Sequence, residues 1–203
     1  MKKSDYVKPD EILFNCLIDA CVRFQDLQRA IAVFNEMKYQ NVKPSSVTFG
    51  ILIKAYGQAN MLDQAFKTFK AMAELKLVPN SVTYGCLIDA CVKNNKIEEA
   101  MDVFSDMSKH GVPKNTIIYT TLIKGFSRAR QLHKALDVYE FMKQDSTCQP
   151  NNVTFNSLID SCIRCGSLEQ AVSVFSEMKG SHCKPDLITY STMIKGFCKA
   201  KDI

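Results

Sequence analysis

Two rows of small, often polar residues recur at fixed spacing along this 203-residue chain. The first is Asn15, Gly50, Gly85, Thr120, Asn156 and Ser191, spaced 35 or 36 residues apart. The second is Ser45, Asn80, Asn115, Asn151 and Asp186, with the same spacing. The members of the first row sit among apolar residues of helical periodicity, yet all are small. Glycine inside a helix costs about 1 kcal/mol relative to alanine, so something other than helix stability selects small residues there. Every member of the second row can hydrogen-bond. The same residue types are preferred helix N-caps, so that row reads either as caps or as a recognition row. A third row is cationic: Arg23, Lys93, Arg128, Arg164 and Lys199, with Gln58 as its exception. It reads as a basic stripe or as a solvated face. A fourth is aliphatic: Ile12, Val47, Val82, Ile117, Val153 and Ile188. Packing at a helix start is its plain reading.

These rows exist because the chain repeats itself. The stretch 152–186 reads NVTFNSLIDSCIRCGSLEQAVSVFSEMKGSHCKPD, and its phrases LID and VFSEMK return at Leu87–Asp89 and Leu17–Asp19, and as VFSDMS and VFNEMK. A fixed period of this length marks a repeat architecture. The frame is a lead-in at 1–10 that reads as the tail of a preceding repeat, then repeats at 11–45, 46–80, 81–115, 116–151 and 152–186, and the first half of a sixth at 187–203. In this frame the rows occupy the fifth, last, thirteenth and second places. Stopping mid-repeat suggests a fragment or mature form of a longer protein.

Each repeat carries two helical patterns. Phe155, Leu158, Ile159 and Cys162 share one helix face. Cys165-Gly166-Ser167 breaks it, with Gly166 suited to a helix C-terminus. Leu168, Ala171, Val172, Phe175 and Met178 form the second face, and Lys184-Pro185 ends it. Ala30, Ala65, Ala100, Ala135 and Ala171 in the second helix, and Ala20, Ala55, Ala90, Gly125, Ser161 and Gly196 in the first, mark close helix approach, and Phe34, Phe69, Phe104, Tyr139 and Phe175 with Met37, Met72, Met107, Met142 and Met178 read as core. The expected fold is all-α, a solenoid of stacked antiparallel helical hairpins. A two-repeat period is also present: Asp19, Asp89 and Asp160 alternate with Lys54, Lys124 and Lys195, and Cys21, Cys91 and Cys162 with Tyr56, Phe126 and Phe197. This predicts a charge ladder between adjacent first helices, with Asp160 facing Lys124 and Lys195, and an interlock of cysteine against aromatic.

Composition narrows the classes. Hydrophobic residues make up 46%, as in folded proteins, and net charge is +5, compatible with a polyanion partner. No apolar run approaches the ~20 residues that cross a bilayer. The nine cysteines, with no secretory signal before them, read as reduced thiols. Cys162-Ile163-Arg164-Cys165 lacks a second pair or histidines for zinc, so both cysteines are assigned to the core. No phosphate loop, nucleophile motif or metal-ligand cluster is present. The expectation is no enzyme and no cofactor.

The V-T-[FY] opening, the LID or LIK phrase, the alanine, the F-x-x-M ending and the closing proline together resemble the pentatricopeptide repeat, over about 11–203. The tetratricopeptide repeat has a different period and lacks these phrases. The resemblance implies a right-handed superhelix whose first helices line a groove for single-stranded RNA, one base per repeat. It implies that Asn15 with Ser45, Gly50 with Asn80, Gly85 with Asn115, Thr120 with Asn151 and Asn156 with Asp186 read bases, Ser191 being a half-pair. It implies that Ile12, Val47, Val82, Ile117, Val153 and Ile188 sandwich bases, and that Arg23, Lys93, Arg128, Arg164 and Lys199 meet phosphates. The register implied is C-R-R-A-U, 5′ to 3′; the glycine repeats depart from the common pairs. It also implies a monomer acting in RNA processing, stability or translation in mitochondrion or plastid, with ribonucleoprotein proteins as further partners. The rival is a protein–protein scaffold or a structural subunit of a ribonucleoprotein.

Overall fold

The local sequence starts and stops helices at regular intervals. In the computed structural model, which describes residues 9–200, eleven helices and no strand occur among the described residues. They are α1 (Glu11–Arg23), α2 (Leu27–Tyr39), α3 (Ser46–Gln58), α4 (Leu62–Glu74), α5 (Ser81–Lys93), α6 (Ile97–Lys109), α7 (Thr116–Arg128), α8 (Leu132–Gln144), α9 (Asn152–Arg164), α10 (Leu168–Gly180) and α11 (Leu187–Ala200). Most of the lead-in and the last three residues of the chain lie outside the described residues.

Side-chain oxygens begin the odd-numbered helices. Asp10 accepts from the Leu13 N–H at 2.8 Å, and Asn115 from that of Ile118 at 2.9 Å. The turns that end them need a left-handed residue: Gln25, Asn60, Asn95, Arg130 and Gly166 have φ between 56° and 77°. Asn and Gly enter that region at low cost, so three of the five residues fit by type.

Contacts divide the chain into two compact units, with the boundary inside α5 between Ala90 and Cys91. In the first, α1 packs on α2 and α3, and α3 on α4. In the second, α7 packs on α8 and α9, and α9 on α10 and α11. Thus α1, α7 and α9 each touch their own hairpin partner and the next first helix, which is solenoid stacking. Ala30, Ala65, Ala100, Ala135 and Ala171 are fully buried, as are Met37, Met72, Met107, Met142 and Met178. The large ring of each second helix meets the ring of the next V-T-[FY] phrase edge-on. The pairs are Phe34–Phe49, Phe69–Tyr84, Phe104–Tyr119, Tyr139–Phe155 and Phe175–Tyr190, with centroids 5.1–6.1 Å apart, a favourable quadrupole geometry.

Packing departs from expectation at one point: Val172 is 40% exposed, and Val174 takes its place in the core. Close approach of the first helices falls at their small tenth-place row, with Gly57 opposite one member of it. A methyl on Gly57 would stand 2.5 Å from Ala90 Cβ, one on Gly125 2.9 Å from Val92 Cγ2, and one on Gly196 2.8 Å from Ile163 Cδ1. Successive first helices therefore pack tenth place against twelfth.

Candidate nucleic-acid interface

The second, fifth, ninth and thirteenth places of a first helix stand at i, i+3, i+7 and i+11, so they share one stripe. The aliphatic row on that stripe is exposed throughout. Ile12 is 71% exposed, Val47 53%, Val82 62%, Ile117 74%, Val153 49% and Ile188 62%. Six branched aliphatic side chains facing solvent are not accounted for by packing at a helix start.

The last-place residues cap the next first helix. Ser45 accepts from the Val47 N–H at 3.2 Å, and Asn80 from those of Val82 and Thr83 at 3.0 and 3.1 Å. Asn151 accepts from the Thr154 N–H at 3.0 Å, and Asp186 from that of Thr189 at 2.9 Å. The backbone N–H of Thr189 holds the Asp186 carboxyl below the usual carboxylate range. Capping uses the oxygen, so the Nδ2 group of each asparagine is left to bind something else.

The fifth-place residues line up beside these caps. Asn156 Nδ2 lies 3.3 Å from Asp186 Oδ1. Thr120 is buried, and its hydroxyl donates to the Thr116 carbonyl at 2.7 Å. Gly50 is buried and Gly85 half-buried. Ser191 is exposed and donates to the Ile188 carbonyl at 3.0 Å. The structure adds residues that sequence reasoning passed over: the third-place threonines. Thr48 Oγ1 donates to Asn15 Oδ1 at 2.7 Å, Thr189 Oγ1 to Asn156 Oδ1 at 2.6 Å, and Thr154 Oγ1 lies 3.1 Å from Thr120 Oγ1. The signal for them was the middle letter of the V-T-[FY] phrase.

The cationic row is exposed, but it is not uniform. Arg23 is held by Asp19 at 2.7 Å and Arg164 by Asp160 at 2.5 Å, each one turn back in its own helix. Burial pushes the Asp19 carboxyl up, but Arg23 and Lys54 outweigh it and the net shift is downward. Repeats four and six instead carry two cations on the same stripe, Lys124 with Arg128 and Lys195 with Lys199, whereas repeat two has Lys54 with Gln58. The expected ladder forms at Asp19–Lys54, 3.3 Å. At Asp160 it does not: the carboxylate is held by Arg164, and neither Lys124 nor Lys195 makes an ion pair among the described residues. Ion pairs between hairpins also lie on the second helices, at Glu98–Lys134 (2.6 Å) and Lys143–Glu177 (3.3 Å).

Cys162 is buried and Cys165 half-buried. No group of three metal-ligating side chains is gathered among the described residues, and no helix there is long and apolar enough to cross a membrane.

This geometry matches known proteins. A family model described as the pentacotripeptide-repeat region of PRORP covers residues 1–146, and the PPR repeat family model covers 150–199. The chain belongs to the pentatricopeptide repeat family. A putative pentatricopeptide repeat-containing protein of Arabidopsis thaliana is 42% identical over 55 residues, which is 27% of this chain and 11% of that protein. Another from the same plant, named chloroplastic, is 34% identical over 62 residues, 30% of this chain and 12% of that protein. The matched stretches thus span about a tenth of these relatives. Among solved structures, the pentatricopeptide repeat protein PPR10 from maize superposes with a TM-score of 0.80 at 24% identity, covering 95% of this chain and 28% of that one. PPR10 in complex with an 18-nt psaJ RNA element gives 0.74 at 24% identity, over 94% and 31%. The pentatricopeptide repeat domain of Arabidopsis thaliana protein-only RNase P 1, in complex with tRNA, gives 0.73 at 22% identity, over 93% and 98%. These likenesses show the fold: a pentatricopeptide repeat solenoid.

Proposed function

We propose that this chain is a sequence-selective module for single-stranded RNA that takes one base per 35-residue repeat. The observation that carries it is the Asn156–Asp186 pair, 3.3 Å apart and flanked by the exposed aliphatics Val153 and Ile188. A pair of hydrogen-bonding groups between two apolar side chains suits the edge and faces of an unstacked base. Asn15 with Ser45 takes cytosine, Thr120 with Asn151 adenine, and Asn156 with Asp186 uracil. Gly50 with Asn80 and Gly85 with Asn115 take purines weakly. Lys93, Arg128 and Lys199, with Arg23 and Arg164, neutralise phosphates. The structural relatives solved with an 18-nt RNA element and with tRNA support an RNA partner. The module binds without catalysing, as a monomer, and serves RNA processing, stability or translation in a plastid or mitochondrion; the relative named chloroplastic supports that compartment.

Short single-stranded RNAs test the register. C-R-R-A-U is expected to bind with steep salt dependence, and exchanging A and U is expected to weaken it. Equal affinity for both would overturn the register. Salt-insensitive, sequence-blind retention would overturn RNA reading in favour of a scaffold.

A further inference from the structure

The fifth-place amides are held from both sides. Thr48 and Thr189 are fully buried, each the third residue of its helix. Their hydroxyls accept from the backbone N–H of the preceding cap, Ser45 and Asp186, both at 3.1 Å. A threonine hydroxyl has one proton. With its oxygen accepting from the cap, that proton is free to donate. The shortest contact of Thr189 Oγ1 is the 2.6 Å bond to Asn156 Oδ1, against 2.9 Å to Asp186 Oδ1. Thr48 donates to Asn15 Oδ1 at 2.7 Å.

The far side of each amide meets a carboxylate. Asn156 Nδ2 lies 3.3 Å from Asp186 Oδ1, and Asn15 Nδ2 lies 3.1 Å from Glu11 Oε1. An ionised carboxylate only accepts, so the atom facing it must be the NH2 nitrogen. The atom facing the threonine must be the oxygen. Only one amide orientation satisfies both neighbours. It engages the oxygen and leaves the second N–H of Nδ2 as the side chain's remaining donor.

We infer that the third-place threonine of the following repeat is a specificity-determining positioning residue. Thr48 acts on Asn15 and Thr189 on Asn156, each fixing the amide so that it offers a donor to a base acceptor. The acceptor common to both pyrimidines is the O2 carbonyl, which fits the pyrimidine assignment of repeats one and five. The last-place residue, Ser45 or Asp186, then separates cytosine from uracil. This inference rests on the RNA-reading function proposed above. Thr83 is the internal comparison. Its hydroxyl also accepts from a cap N–H, that of Asn80 at 2.8 Å, but its fifth-place neighbour is Gly50, which has no amide to orient.

The test uses the full chain and short RNAs that differ only at the base assigned to repeat five. Thr189→Val removes the hydroxyl at nearly constant volume. Preference for pyrimidine over purine at that base is expected to fall about fivefold, the loss of one oriented hydrogen bond, with preferences elsewhere unchanged. Thr83→Val, which removes an equivalent cap hydroxyl, is expected to leave every preference intact. Thr48→Val repeats the test at repeat one if Thr189→Val does not fold. Equal affinity losses in all variants with base preference retained would make the threonine a cap only and overturn the inference. The RNA-free protein supplies an independent readout. The side-chain Nδ2 resonance of Asn156 is expected to shift in Thr189→Val and not in Thr83→Val. An unmoved resonance overturns the relay whether or not RNA binds, whereas a moved resonance without base selectivity overturns the reading function alone.

Discussion

The guanidinium of Arg23 holds the carboxylate of Asp19, one turn back in the same helix, at 2.7 Å. The same spacing recurs at Asp160 and Arg164. In α7 and α11 the ninth place is lysine, so two cations stand where α1 and α9 carry a neutralised pair. Within the second unit this stripe therefore alternates from doubly positive in α7 to neutral in α9 and doubly positive again in α11.

Phosphate contact should follow that alternation. Replacing both Lys124 and Arg128 by alanine is expected to reduce the slope of log affinity against log salt by about 1.4, at ~0.7 per single-strand phosphate contact. Replacing both Arg23 and Arg164 is expected to change it by less than half as much, since their charges are already paired. Salt titrations of RNA binding check this. Equal slopes for the two double variants would remove the alternation from the binding account.

A reading position can be built where none exists. A Cβ on Gly50 would meet Thr83 Cγ2 at 3.7 Å, an ordinary contact, so a side chain can start there without displacing a neighbour, and Gly50→Asn is the variant to make. It places an amide in front of a hydroxyl already positioned by the Asn80 cap. Pyrimidine preference at the second base is expected to appear in Gly50→Asn and to be lost again in Gly50→Asn with Thr83→Val. Competition binding with RNAs that vary at that base gives the answer.

The close approach of α3 and α5 has no room for a methyl. In Gly57→Ala the new Cβ would stand 2.5 Å from Ala90 Cβ and 2.9 Å from Ala90 Cα, so the helices must separate. A loss of about 1–3 kcal/mol is expected from overpacking, against which the ~1 kcal/mol gain in helix propensity is smaller. On α7 and α9, the hydroxyls of Ser127 and Ser161 are buried and find no partner among the described residues. Ser161→Ala is therefore expected to stabilise by up to about 1 kcal/mol. Urea unfolding distinguishes the two directions.

Buried thiols set an alkaline limit. Burial, helped by Glu99, pushes the Cys91 thiol up to about 12, and burial, helped by Cys165, pushes Cys162 up to about 11. Both folded-state values lie above the unfolded thiol value of 9.0. Their contribution to stability is therefore complete below pH 9 and is lost as pH rises from there toward 11 and 12. Urea midpoints are expected to fall across that window, less steeply in Cys91→Val. At pH 8, iodoacetamide is expected to modify the exposed Cys16 and Cys198 first and to spare Cys91 and Cys162. Early modification of Cys91 would show that its helix opens locally.

The hairpin fold was legible because periodicity is a one-dimensional signal. Alanine, aromatic and methionine at fixed places in the second helix had to be core, and all five alanines and all five methionines are fully buried. Val172 was misplaced because its spacing fits the apolar face as well as that of Val174, and only the packed neighbour chooses between them. The cap row was legible by residue type, but type alone could not separate capping from reading, since both need the same oxygen-bearing side chains.

The sequence by itself determined the repeat, its two helices, the buried stripe and the rows that share one helix face, because local spacing dictates which side chains lie together on a helix. Tertiary structure decided which groups meet across repeats. It gave Asp160 to Arg164 alone, whereas Asp19 is shared between Arg23 in its own helix and Lys54 in the next first helix. It also brought Thr48 to Asn15 and Thr189 to Asn156, residues 33 apart in the chain. Those contacts depend on how far one helix slides along the next, an offset that packing between helices decides; between α3 and α5, Gly57 and Ala90 leave no room for a further methyl group.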